Sequence, residues 1–198
     1  MKRYGILGGS FNPPHVGHLI LADNVREQLE LDKVIFIPSG KHALKDPKSL
    51  ADAEHRLNMA RIAFEKDSSF EVNDIEIQKI KAGMTNYTVD TLIDLYNMYQ
   101  KDFIKLFLII GIDNLIEFPK WKDPHKLFIL TEVVVMNRPG FLIQDVSVEF
   151  SRKARYLSVP MLDISSSDIR NRVSENRSIK YLVDPEVEKY INKNNLYK

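Results

Sequence analysis

Two histidines three residues apart, His15 and His18, follow a run of small and turn-forming residues, Gly8-Gly9-Ser10-Phe11-Asn12-Pro13-Pro14. At helical spacing the pair shares one face of a first turn. The N–H groups there are unpaired and carry the positive end of the helix dipole. Glycines ahead of such a turn let an anion reach the backbone. Imidazoles in that place can donate hydrogen bonds to phosphate oxygens as charge builds on them. The chemistry this predicts is the binding and transfer of a phosphate group. A pair of ordinary surface histidines on a tight turn is the competing reading. The coincidence of glycines, prolines and paired histidines weighs against it.

A second constellation is Ile164-Ser165-Ser166-Ser167-Asp168-Ile169-Arg170. Serine is a good helix N-cap, but three serines exceed what one cap uses. Ser166, Ser167 and Arg170 could cradle a triphosphate. A serine-rich cap with a solvated arginine reads equally well from these residues alone. Gly111-Ile112-Asp113 follows the most apolar run of the chain. Gly111 would let a nucleotide approach. Asp113 suits a ribose hydroxyl, a metal–phosphate assembly, or the N-cap of a short helix. Trp121, the only tryptophan, follows Pro119 in a polar loop. There it would either stack on a flat ring or anchor the loop.

These residues need elements to carry them. Residues 4–7 read as a buried strand and 16–30 as an amphipathic helix. Residues 34–38 form a β-branched apolar run, as a central parallel strand should, and 39–49 a polar loop. A helix over 53–66, short strands at 70–72 and 75–77, and a helix over 88–100 follow. Residues 103–110 predict the central strand, with a short helical stretch to 118, strands at 133–136 and 156–162, and helices over 165–173 and 184–192. Strands separated by helices imply right-handed βαβ units, hence an α/β doubly wound parallel sheet. One domain spans 1–198, with a small C-terminal helical part over roughly 164–198. Ligands of such sheets bind beyond the carboxyl ends of the strands. The stretches 10–18, 39–45, 111–121, 138–140 and 165–170 all follow strands.

Composition narrows the classes. The chain has 198 residues, a formal net charge of +1 and no cysteine. Disulfides, thiolate nucleophiles and cysteine zinc sites are excluded. Near-neutral charge argues against a nucleic-acid coat. Neither a signal peptide nor a bilayer-length apolar run is visible, so the expected compartment is the cytoplasm, with no membrane partner. A homo-oligomer is compatible with the sequence.

The stretch 8–18 resembles the signature of the H-x-G-H nucleotidyltransferase superfamily, and within it the chain resembles the bacterial nicotinate mononucleotide adenylyltransferase family. Asn12 stands where that family usually has aspartate. The stretch 164–170 is similar to the family motif I-S-S-T-x-I-R, with Ser167 at the threonine. Gly111 and Asp113 match its G-x-D, and Trp121 matches a family tryptophan. Asn86-Tyr87-Thr88-Val89-Asp90-Thr91-Leu92 is similar to the segment before its third helix. There Thr88 would cap the helix and neighbouring N–H groups would bind the nicotinate carboxylate. Lys45 aligns with a family lysine and His42 is shifted; both read equally as solvated loop charges.

The resemblance implies a Rossmann-like nucleotidyltransferase fold and transfer of adenylate from ATP to nicotinate mononucleotide. ATP would be bound by Gly8, Gly9, Ser10, Phe11, His15, His18, Gly111, Asp113, Ser166, Ser167 and Arg170. His15, His18 and Arg170 would be catalytic. The mononucleotide would meet Lys45, Thr88 and Trp121. Mg²⁺ would be held mainly by phosphates and water. The rivals are an adenylyltransferase for nicotinamide mononucleotide or another phosphorylated precursor, and a non-catalytic nucleotide sensor. A dehydrogenase would show G-x-G-x-x-G, whereas this turn reads Gly5-x-x-Gly8-Gly9.

Overall fold

Burial with a period of two builds the frame. In a computed structural model describing residues 1–40, 50–99, 103–137, 140 and 142–198, six strands form one parallel sheet: β1 (Lys2–Gly9), β2 (Lys33–Pro38), β3 (Phe70–Val72), β4 (Ile104–Gly111), β5 (Glu132–Met136) and β6 (Arg155–Leu157). Alternate residues turn to opposite faces. Val34, Phe36, Phe107, Ile109 and Val134 enter one core; Ile35, Ile37, Leu106, Leu108, Val133 and Val135 enter the other. Both faces are covered, which is why the strands read as continuous apolar runs.

Helices α1 (Val16–Gln28) and α2 (Ala53–Phe64) seal the first face through Ala22, Val25, Leu57, Ala60 and Phe64. A short α3 (Ile75–Lys81) follows β3 and sends Ile77 into the same core. The second face is sealed by α4 (Thr88–Tyr99), α5 (Ile112–Glu117), α6 (Pro124–Leu130) and α7 (Val148–Ser151), through Leu92, Leu115, Leu127 and Phe150. Finally α8 (Ser166–Ser174) and α9 (Pro185–Lys193) return to the first face, burying Ile169, Val173, Val187 and Ile191. No described helix is long and apolar enough to cross a membrane.

The strand order is β3-β2-β1-β4-β5-β6. The chain winds outward from β1 to β3, then returns to β4 on the other side of β1. The crevice at that reversal is where such sheets take ligands. Gly9 at the end of β1 and Gly111 at the end of β4 flank it.

Several expectations need correction. Residues 75–77 are helical, because the Asn73 carboxamide oxygen accepts the Ile75 N–H at 3.0 Å and turns the chain out of β3. The last strand stops at Leu157 instead of 162. Beyond it the Asn137 side chain takes the place of a strand partner, accepting from Val159 N–H at 2.8 Å. The helix α6 was not read from the sequence, although Asp123-Pro124 is a helix-start pair. Nor was α7. The segment 41–49, with Lys45 and His42, lies outside the described residues, as does Arg138.

Candidate active site

β1 runs into the histidine turn through Gly8 and Gly9. A side chain at Gly8 would meet nothing within 4 Å, so the backbone there opens onto space. Gly9 is different: a Cβ would lie 3.0 Å from the Phe11 ring. Its smallness serves Phe11. That ring is itself 1% exposed and packs edge-on against His18, Phe36 and Phe64. Only the backbone of Phe11 is placed to serve a ligand, which narrows the expectation for this residue.

His15 is the N-cap of α1, in extended conformation, and His18 is the third helical residue. Their rings lie 3.7 Å apart at 32°. The His15 N–H donates to His18 Nδ1 at 3.1 Å. That nitrogen must therefore be unprotonated, and the neutral ring carries its proton on Nε2. His15 is buried, which lowers its pKa to about 4 and keeps it neutral at pH 7. Its Nδ1 has no partner among the described residues. A Cβ on Gly17 would lie 3.0 Å from that nitrogen, so a side chain there would press on the ring.

Ser165 caps α8 by accepting the Asp168 N–H at 3.1 Å. The next serine does something else. Ser166 Oγ donates to the Pro13 carbonyl at 2.8 Å, and Arg170 Nη1 donates to the Asn12 carbonyl at 3.0 Å. Arg170 Nη2 also donates to Ser167 Oγ at 3.3 Å. Residues 153 and 158 positions apart in sequence thus meet on one turn. The Ser166 hydroxyl is engaged with this turn, so in this state it holds the turn where a phosphate contact was expected of it.

Gly111 is the N-cap of α5, and Asp113 lies in its first turn. The alternative of Asp113 as the cap is thereby corrected: β4 hands over to the helix two residues earlier. Thr88 likewise opens α4 and does not cap it. The Tyr87 carbonyl accepts the Asp90 and Thr91 N–H groups, each at 3.0 Å. Trp121 is half-buried and rests on Phe118, with centroids 4.8 Å apart. Its neighbour Lys122 pairs with Asp90 at 2.9 Å and lies 4.6 Å over the Tyr87 ring. The Trp121 loop and the Thr88 helix start are therefore latched together.

Arg56 was missed by sequence reasoning. It is 3% exposed and donates to three backbone carbonyls: Ala51 at 3.1 Å, Ser10 at 2.9 Å and Gly40 at 3.3 Å. It ties the histidine turn to both ends of the 41–49 segment. A signal was present: Arg56, Met59, Ala60 and Ala63 form one buried stripe at helical spacing, with an arginine heading it. From Gly40 the network continues. The Gly40 N–H donates weakly to Glu76 at 3.4 Å, and Glu76 accepts from Thr91 of α4 at 3.2 Å. Burial pushes the Glu76 carboxyl up, and the Gly40 and Thr91 hydrogen bonds oppose it. Beside this network, Ser39 Oγ and Asn86 Oδ1 are buried without partners among the described residues, as groups awaiting a polar ligand would be. Among the described residues no group of three or more His, Cys, Asp or Glu could hold a metal ion.

Known proteins resemble this chain throughout. Residues 6–172 match the family model described as cytidylyltransferase-like. A protein of Roseiflexus sp. (strain RS-1), named "Probable nicotinate-nucleotide adenylyltransferase", is 38% identical over 98% of this chain and 97% of its own. One of the same name from Dehalococcoides mccartyi is 41% identical, with the same coverage of 98% and 97%. In fold, the chain is similar to Plasmodium falciparum nicotinic acid mononucleotide adenylyltransferase complexed with NaAD, with a TM-score of 0.78 and 22% identity over 100% of this chain and 98% of that one.

Proposed function

The chain belongs to the nicotinate-nucleotide adenylyltransferases of the cytidylyltransferase-like family, and on that premise we propose that it joins ATP to nicotinate mononucleotide, releasing pyrophosphate. One observation carries the reading. Ser166 and Arg170 close on the carbonyls of Pro13 and Asn12, which supports reading the two candidate phosphate-binding stretches as one site. A single polyphosphate spans them.

In the reaction a phosphate oxygen of the mononucleotide forms a bond to the α-phosphorus of ATP. The bond from that phosphorus to the bridging oxygen breaks, and pyrophosphate leaves with the electron pair. The attacking oxygen is already ionised at neutral pH, so no general base is needed. The protein's part is positioning and charge stabilisation. His18 donates from Nε2 to an α-phosphate oxygen as charge builds there. His15 presents a neutral ring beside it, which polyphosphate charge favours protonating. Arg170, forked between Asn12 and Ser167, meets the departing β- and γ-phosphates. Among the described residues no carboxylate or histidine cluster would hold a metal, so Mg²⁺ brought by ATP would be held by phosphate oxygens and water and would supply neutralisation of phosphate charge. On the other side, Thr88 and Trp121 receive the pyridine nucleotide, with the opening turn of α4 facing its carboxylate.

Pyrophosphate release from ATP tests this directly. It should require nicotinate mononucleotide, and nicotinamide mononucleotide should serve poorly. Release with neither nucleotide favoured, or none at all, would contradict the reading. His18→Ala should lower kcat by roughly 100-fold or more, with KM for both substrates changed only a few-fold. Unchanged turnover in that variant would remove His18 from the mechanism.

A further inference from the structure

Asn12 is held from two directions. The Ala51 N–H donates to its Oδ1 at 3.0 Å, and the Tyr197 hydroxyl donates to the same oxygen at 2.8 Å. A backbone N–H can only donate, which identifies the atom between them as the carboxamide oxygen. Tyr197 is then necessarily the donor. Burial pushes its hydroxyl pKa up, so the proton stays in place. Asn12 is 1% exposed, and its own carbonyl is the one that accepts Arg170 at 3.0 Å. Holding the side chain of this residue fixes the direction of that carbonyl. The other contact of Arg170 within the site, to Ser167, is longer at 3.3 Å.

The backbone around Tyr197 points the same way. Tyr197 has φ +65° and Asn195 φ +50°. For a tyrosine the left-handed region is sterically disfavoured, because Cβ crowds the following carbonyl oxygen. Such a conformation persists where surrounding contacts over-determine it. Here those contacts include the hydrogen bond to the histidine turn, 185 positions away in the sequence.

We propose that Tyr197 is a positioning residue for adenylyl transfer: through Asn12 it sets where Arg170 meets the polyphosphate of ATP. The inference rests on the adenylyl-transfer reading and adds to it a residue from beyond α9 that touches no substrate itself. Tyr197→Phe keeps the ring and removes the donor. It should lower kcat/KM for ATP about tenfold, the order expected for losing one hydrogen bond of a buried network. KM for the mononucleotide should stay within twofold of the parent. Lys198→Ala serves as a neighbouring control and should leave both values unchanged.

Calorimetric titration with a non-hydrolysable ATP analogue gives a second readout that needs no turnover. Tyr197→Phe should weaken that binding while the control does not. If the parent protein releases no pyrophosphate, the functional reading fails, and analogue binding still judges Tyr197. If the parent is active and Tyr197→Phe keeps kcat/KM for ATP within twofold, the positioning role is overturned. Equal losses for both substrates alongside a lowered melting temperature would overturn it too, since they describe a merely structural residue.

Discussion

His15 carries its neighbourhood in its own titration. Burial holds its imidazole neutral down to about pH 4, against an ordinary value of 6.5. Between those values the unfolded chain binds a proton that the folded one does not, so stability rises with pH across the window. Acidification from above 6.5 to below 4 should therefore remove about 3 kcal/mol through this residue. Urea denaturation at a series of pH values, with the parent and His15→Asn compared, measures it. The variant should lack that part of the slope. The two histidines were legible because spacing and residue type sufficed to pair them. Which one is neutral, and which nitrogen of His18 carries a proton, depends on burial and on a backbone N–H, and neither is written in residue types.

Helices bring the site together at the next scale, and Arg56 on α2 joins three stretches of backbone. It satisfies carbonyls of Ser10, Gly40 and Ala51 from a buried position. Arg56→Met should leave those groups short of donors and cost about 3 kcal/mol, read as a lowered urea midpoint with an unchanged slope. Arg56→Lys should recover only part of it, since one ammonium cannot reproduce a planar fork. The sequence reading of elements succeeded where the apolar period was long and unbroken, as in β2, β4 and α4. It failed at residues 75–77 and 158–162, where the side chains of Asn73 and Asn137 replace backbone partners. A three-residue alternation cannot compete with such local hydrogen bonds.

Across the whole molecule, α8 and α9 share one core with β1, β2, α1 and α2. Separating the last helices would expose Ile169, Val173, Val187 and Ile191, all buried, and on that ground we propose that the chain unfolds as one domain. Thermal unfolding should be one transition, with calorimetric and van't Hoff enthalpies equal. Two transitions, with an early one removed by deleting residues 164–198, would contradict this. The contacts of Arg170 with Asn12 and of Lys122 with Asp90 should be lost in that same single transition.

Residue types and their order determined the α/β class, the parallel sheet, the histidine turn and the serine–arginine stretch, because each depends on local periodicity or on chemistry confined to a few neighbours. Only the tertiary structure decided that Ser166 and Arg170 close on Pro13 and Asn12, that Arg56 is a buried hub, and that Tyr197 reaches the first turn. Those contacts join positions far apart along the chain, and the direction of a single hydrogen bond is fixed only once the sheet has set the distance between its ends.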